Sequence, residues 1–85
     1  MNPIPVRVMV LDTWDEIPLN VPPTATVADV KARALAQARV TRPTEDYEVK
    51  FRGAVVPEGA TTIADAGLVA NAALIVLGRR RVPAR

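Results

Sequence analysis

The spacing of apolar positions between residues 26 and 38 predicts an amphipathic helix. Apolar residues recur there at intervals of three and four, which places them on one face of a helix: Val27, Val30, Ala34, Leu35 and Ala38. Thr26 is the predicted N-cap, and Pro43 prevents continuation much beyond Arg39. We expect the polar side chains of this helix to lie in solvent: Asp29, Lys31, Arg33 and Gln37.

Alternation of apolar and polar residues predicts strands at residues 6–11, 17–21, 47–52 and 73–77, with a short one at 54–56. Residues 12–16 read as a hairpin loop. Pro18 cannot donate to a ladder, so the second strand belongs at a sheet edge. Residues 62–68 predict one helical turn that buries Ile63 and Leu68 and is closed by Gly67.

These elements form one domain at residues 6–78, between an irregular N-terminus (1–5) and a basic flexible tail (79–85). Four of the eleven basic residues lie in that tail, so the remaining chain carries seven basic against nine acidic residues, a balance of −2. The arginine cluster either binds phosphate or an acidic protein surface, or is a solvated end that aids solubility. No aromatic platform accompanies it, so nucleic acid is not favoured as a partner.

The order of elements and four sequence runs resemble ubiquitin-like proteins: TVADVKA, VKFRG, TTIADAGL and AALIVL. The resemblance extends from about Val6 to Leu77, nearly the whole chain. It implies an α+β, β-grasp fold, in which a mixed sheet of four to five strands has the order 2-1-5-3-4. The first and last strands are then parallel, and one helix crosses one face.

The C-terminal sequence departs from the modifiers and sulfur carriers of this family, whose chemistry requires a flexible tail that ends in Gly-Gly. This sequence ends Val82-Pro83-Ala84-Arg85, and Gly78 lies only two residues past an inward-facing Val76. We therefore expect a non-conjugated interaction module, an adaptor or small accessory subunit of a larger complex. The alternative is a modifier or sulfur-carrier-type protein that requires C-terminal processing. Alanine and arginine richness favours a bacterial source.

The predicted binding surface is the sheet face that points away from the helix. If Val6, Val8 and Val10 face the helix, their strand turns Met9 outward. By resemblance, Lys50, Ile75 and Leu77 occupy the positions of ubiquitin's recognition isoleucine, histidine and valine. The predicted protein-binding residues are Met9, Leu11, Trp14, Lys50, Arg52, Ile75, Leu77 and Arg79, with Arg7 and Glu48 also at the rim.

Two alternatives remain open at this point. The outward apolar residues are an interface, or they are the stray apolar positions that two-sided strands in small sheets often carry, or a loop or the tail folds over them. Trp14 either anchors a partner or caps the edge of the core.

Composition removes most enzyme classes. The chain has no cysteine and no histidine, so it lacks thiolates, disulfides, the usual general base and the commonest metal ligand. Asp12, Asp15 and Glu16 do not have the spacing of a calcium loop, and Thr61 and Thr62 have no base partner. We expect no enzyme activity, cofactor, metal or small-molecule substrate. Without an N-terminal signal pattern or a long apolar run, a cytoplasmic location without a membrane span is expected.

Overall fold

The computed structural model describes residues 3–58 and 61–78 as a five-stranded sheet with one α-helix packed across one face. The elements are β1 (Ile4–Val10), β2 (Asp15–Val21), α1 (Val27–Gln37), a short 3-10 helix (Thr44–Asp46), β3 (Tyr47–Phe51), β4 (Ala54–Val55) and β5 (Ala72–Gly78). The 3-10 helix lies in a segment that the sequence predicts as a polar connection. The predicted tail at 79–85 lies outside the described residues.

The sheet has the order β2-β1-β5-β3-β4. β1 and β5 pair in parallel, whereas the β1–β2, β3–β4 and β3–β5 pairs are antiparallel. Both the order and the parallel central pair confirm what the resemblance implies.

One boundary needs correction at the N-terminus. The predicted irregular N-terminus includes Ile4 and Pro5, but these residues pair with Val21 and Asn20 as the first two residues of β1. Pro5 has no N–H to donate, but its carbonyl accepts a hydrogen bond from Asn71 N at 2.6 Å. β1 therefore begins two residues before the clear alternation does.

The helix begins where its cap predicts. Thr26 has an extended backbone, and its Oγ1 accepts a hydrogen bond from Asp29 N at 3.1 Å. The preceding segment is fixed to a second loop, since Val27 N donates to Thr61 O and Ile63 N donates to Ala25 O, each at 2.9 Å. These bonds set the position of the helix on the sheet.

The core lies between α1 and the inward side of the sheet. Its members come from β1, β2, β3, β5, the helix stripe and the 62–68 turn, and the most completely buried include Val6, Val8, Val10, Val27, Val30, Leu35, Tyr47, Val49, Ile63, Leu74 and Val76. In the turn, Ala66 N donates to Thr62 O at 3.0 Å and Gly67 has φ +77°, as the predicted closed helical turn requires.

Lys31 was expected in solvent but is 3% exposed, which corrects the prediction. Its Nζ lies 2.5 Å from Glu58 Oε1 and donates to the backbone oxygen of Tyr47 at 3.1 Å. A long side chain can follow the helix flank inward when its charge finds partners there. Local helical periodicity carries no information about such distant partners.

Pro18 lies on the outermost strand, as predicted, with its ring nitrogen toward the free edge. The backbone groups Pro5 O and Leu11 N form hydrogen bonds on the β5 side of β1. The backbone groups of the even-numbered β1 residues therefore form hydrogen bonds with β2. Their partners include Leu19 and Ile17, and Pro18 lies between these two. Its missing N–H therefore costs the ladder nothing and removes one donor from the exposed edge.

Candidate protein-binding face

The outward side of the sheet carries a row of side chains that crosses all five strands. Met9 of β1 lies beside Ile75 of β5, and Ile75 lies beside Lys50 of β3. The row extends to Glu16 on β2 and to Val55 on β4. We call these five residues the central row.

Apolar surface remains open in the central row. Ile75 is 40% exposed and Val55 is 53% exposed, whereas Met9 is half-buried by its neighbours. The aliphatic stem of Lys50 lies between Ile75 and Val55 in the register, so it can join them into one apolar strip. The described chain thus leaves Ile75 uncovered.

A second outward row follows toward the end of the sheet where β1 and β5 finish. Leu11 N donates to Val76 O at 3.0 Å, which continues the β1–β5 register by one residue and brings Leu11 beside Leu77. Both leucines are half-buried. Glu48 of β3 pairs with Leu77 and ends this row with a charge. The predicted set Met9, Leu11, Lys50, Ile75 and Leu77 therefore shares one face.

Arg52 does not join this face, which corrects its placement. Its backbone has φ +55°, so the alternation that holds through Lys50 ends there. Its guanidinium carbon lies 5.1 Å from the ring centroid of Phe51, a side chain that packs against the core. Arg79, the other predicted rim cation, lies outside the described residues.

Trp14 is 75% exposed, so it does not cap the core edge. It lies in the turn between β1 and β2 with φ +57°, a left-handed conformation that is uncommon for a bulky residue. An exposed indole in such a turn is available to a partner, and its role as an anchor remains a prediction.

A hydrogen bond from Tyr47 to Asp12 holds the same turn against β3. The buried phenol donates to Asp12 Oδ2 across 35 positions of sequence. This bond, followed by burial and the Asp12 charge, raises the pKa of Tyr47 above its ordinary value of 10.0. Asp12 is thus occupied as an acceptor. No group of three potential ligands is arranged for a metal ion within residues 3–58 and 61–78.

The central row carries an acidic residue, Glu16, on β2 and a basic residue, Lys50, on β3. Glu16 and Lys50 are not among the ion pairs found in the described residues, which join Lys31 to Glu58, Arg33 to Asp29 and Arg42 to Asp46. The described part of the chain also forms no pocket for a small molecule. The outward face therefore offers no pocket within the described residues, is partly apolar, and carries Glu16 and Lys50 on opposite sides of Met9 and Ile75.

Comparison with solved structures finds similar folds. A ubiquitin of Caldiarchaeum subterraneum superposes with a TM-score of 0.77 at 16% identity, over 93% of this chain and 96% of that one. A chain from a structure described as molecular mimicry of SUMO that promotes DNA repair superposes with a TM-score of 0.79, also at 16% identity, over 89% of this chain and 91% of that one.

The chain has a ubiquitin-like β-grasp fold. No protein-family model and no curated protein matches its sequence. At 16% identity the structural likeness establishes the fold alone.

Within this ubiquitin-like fold, sequence reasoning missed two members of the outward face. Val55 belongs to a two-residue strand whose register against Lys50 could not be assigned from alternation. Glu16 was considered only as a cation ligand in the hairpin loop, but it pairs with Met9 inside β2. Among the described residues, no helix is long and apolar enough to cross a membrane.

Proposed function

We propose that this chain is a non-catalytic ubiquitin-like interaction module that binds another protein through its outward sheet face. Ile75 carries the proposal, because this large apolar side chain stays 40% exposed in the middle of the central row. Exposed apolar surface costs about 25 cal/mol per Å² relative to burial. A contiguous patch of exposed apolar surface is typical of a site that contacts another protein.

The shape and charge of the face support a protein partner over other ligand classes. The strip between Met9 and Val55 has no pocket within the described residues and suits another protein surface, whereas small molecules bind in concave sites. Glu16 and Glu48 offset Arg7 and Lys50 on this face, so it lacks the excess of positive charge that binds a phosphate backbone. The proposed role is an adaptor or small accessory subunit without a cofactor. A cytoplasmic location and a bacterial source remain predictions.

The alternative of a processed modifier receives less support. Gly78 is the last residue of β5 and pairs with Tyr47, so cleavage there would leave no chain beyond the sheet. No two glycines are adjacent in the 85 residues. Intact-mass analysis of the protein from its host separates the two functions, since adducts joined through a trimmed Gly78 would favour the modifier.

Site-specific photo-cross-linking in host cells tests the binding face. A benzophenone amino acid at Ile75 should give adducts with a discrete partner. The same group at Gln37, exposed at the end of α1, should not. Equal adducts at both positions would contradict a specific sheet-face interaction.

A further inference from the structure

We infer that the outward face also binds a second copy of this chain, in a symmetric dimer with the two sheets face to face. The inference rests on the proposed function because it uses the same face. It goes further by naming one occupant of that face.

The first argument is the arrangement of charge along the central row. Glu16 on β2 and Lys50 on β3 are separated by β1 and β5. Three strand spacings amount to roughly 14 Å, so these two charges cannot pair within one copy. Between them lie the apolar side chains of Met9 and Ile75. From β2 to β3 the central row is therefore acidic, apolar, apolar and basic, and its fifth member, Val55 on β4, lies beyond this four-strand segment.

Such a row is complementary to itself when reversed. Consider a two-fold axis parallel to the strands, midway between β1 and β5 and in the plane between two facing sheets. It brings β1 opposite β5 of the second copy, and β2 opposite β3. Glu16 then faces Lys50 of the second copy, and Met9 faces Ile75. Each contact occurs twice, as in every two-fold interface.

The neighbouring rows fit the same axis. Leu11 faces Leu77 of the second copy, which buries apolar surface from both. Arg7 faces Ala73, whose small side chain leaves room for the longer one. No like charges meet at these positions.

The other in-plane two-fold axis runs along the row and is unfavourable. It would bring Glu16 against Glu16 and Lys50 against Lys50 of the second copy. Like charges placed together weaken association. The charge pattern thus selects the axis parallel to the strands, and sheets packed in this way lie about 10 Å apart.

The size of the face sets the strength of the dimer. Four strands by three rows cover roughly 400 Å² on each copy by the usual strand spacing and rise. Stable complexes bury about 1,200–2,000 Å² in total. We therefore expect a dissociation constant of about 0.1–1 mM, which lets a tighter partner displace the second copy.

Charge exchange tests the geometry by sedimentation equilibrium and concentration-dependent amide shifts. Glu16→Lys and Lys50→Glu each place like charges opposite one another twice. Each should weaken self-association about tenfold. The double variant E16K/K50E restores the opposite pairing and should recover wild-type association. The inference would be overturned if the double variant self-associates as weakly as the single variants. It would also be overturned if the wild type remains monomeric at concentrations well above about 1 mM.

Cross-linking of introduced cysteines by a short bismaleimide reagent supplies a second readout, because the chain has no native cysteine and facing backbones about 10 Å apart are too distant for a direct disulfide. A mixture of the single variants Glu16→Cys and Lys50→Cys should form cross-linked pairs faster than either variant alone. Preferential trapping of one variant with itself would refute the proposed axis.

The two proposals fail in different ways. If the charge variants and wild type do not self-associate but adducts with another protein persist at Ile75, only the dimer is refuted. If association follows the charge-exchange pattern while cross-linking at Ile75 yields only this chain, the dimer stands and the adaptor role falls.

Discussion

The ammonium group of Lys31 lies 2.5 Å from a carboxylate oxygen of Glu58, and both side chains are largely shielded from solvent. Lys31 also donates to the backbone oxygen of Tyr47. One buried cation thereby connects α1, the start of β3 and the segment after β4. Removal of the carboxylate should destabilise the fold more than removal of the cation, because it leaves a buried charge unpaired, and an unpaired buried charge costs more than a lost attraction.

Glu58→Gln should lower the free energy of unfolding by about 2–4 kcal/mol, since it leaves the Lys31 charge buried without its carboxylate. Lys31→Met removes the charge and keeps much of the side-chain volume, so it should cost less. Urea denaturation of both variants measures the difference. Equal losses would mean that the ion pair contributes through packing rather than charge.

Tyr47→Phe should cost about 1–2 kcal/mol at neutral pH, because the bond to Asp12 is lost. The pKa of Tyr47 is raised by that bond and by burial, so at alkaline pH the unfolded chain releases this proton before the folded chain does. Stability therefore falls as pH rises through about 10 and continues to fall toward the folded-state pKa.

The phenylalanine variant lacks this titration, and Tyr47 is the one tyrosine of the chain. The stability difference between wild type and Tyr47→Phe should consequently shrink as pH rises above about 10. Urea titrations across that range measure it. A gap that stays constant would show that the bond to Asp12 does not depend on the protonated phenol.

Truncation of two adjacent residues of β5 should have different effects, a loss of stability at Leu74 and a loss of partner binding at Ile75. Leu74 is 1% exposed and faces α1, so Leu74→Ala should cost about 2–5 kcal/mol. Ile75→Ala, on the outward face, should cost less than about 1.5 kcal/mol while reducing partner cross-linking from a benzophenone at Val55. Thermal unfolding provides the stability values, and similar losses at both positions would mean that the outward face is covered.

Trp14→Gly should be more stable than Trp14→Ala by about 1 kcal/mol. Both variants remove the indole, but only glycine adopts the left-handed conformation of this turn without steric cost. Denaturant unfolding gives the comparison. If Trp14 is an anchor, both variants should lose partner adducts equally, which separates its binding role from its backbone strain.

Much of the fold follows from local patterns. The period of apolar residues locates α1 and the main strands, Thr26 marks the start of the helix, and Pro18 identifies an edge strand, because each effect acts over a few residues. The parallel pairing of β1 with β5 depends on residues more than 60 positions apart, so it came from resemblance and not from periodicity.

The errors arise where a distant contact or an unusual backbone conformation overrides the local pattern. Lys31 has the spacing of an exposed helix residue, but Glu58 and Tyr47 provide partners in the interior. Arg52 has the parity of an outward residue, but its left-handed backbone turns it toward Phe51. Of the candidate face, alternation predicts the orientation of Met9 and Ile75, whereas the row they form depends on register.

The ring nitrogen of Pro18 at the outermost strand has a consequence for how molecules of this protein meet. A cross-β stack that grows from this edge needs a backbone N–H donor at every second residue of β2, and Pro18, in the middle of β2, has none. The missing donor therefore disfavours edge-to-edge strand pairing between copies, and with it fibre formation at high protein concentration. This leaves the broad flank of the sheet as the favoured route for reversible encounters.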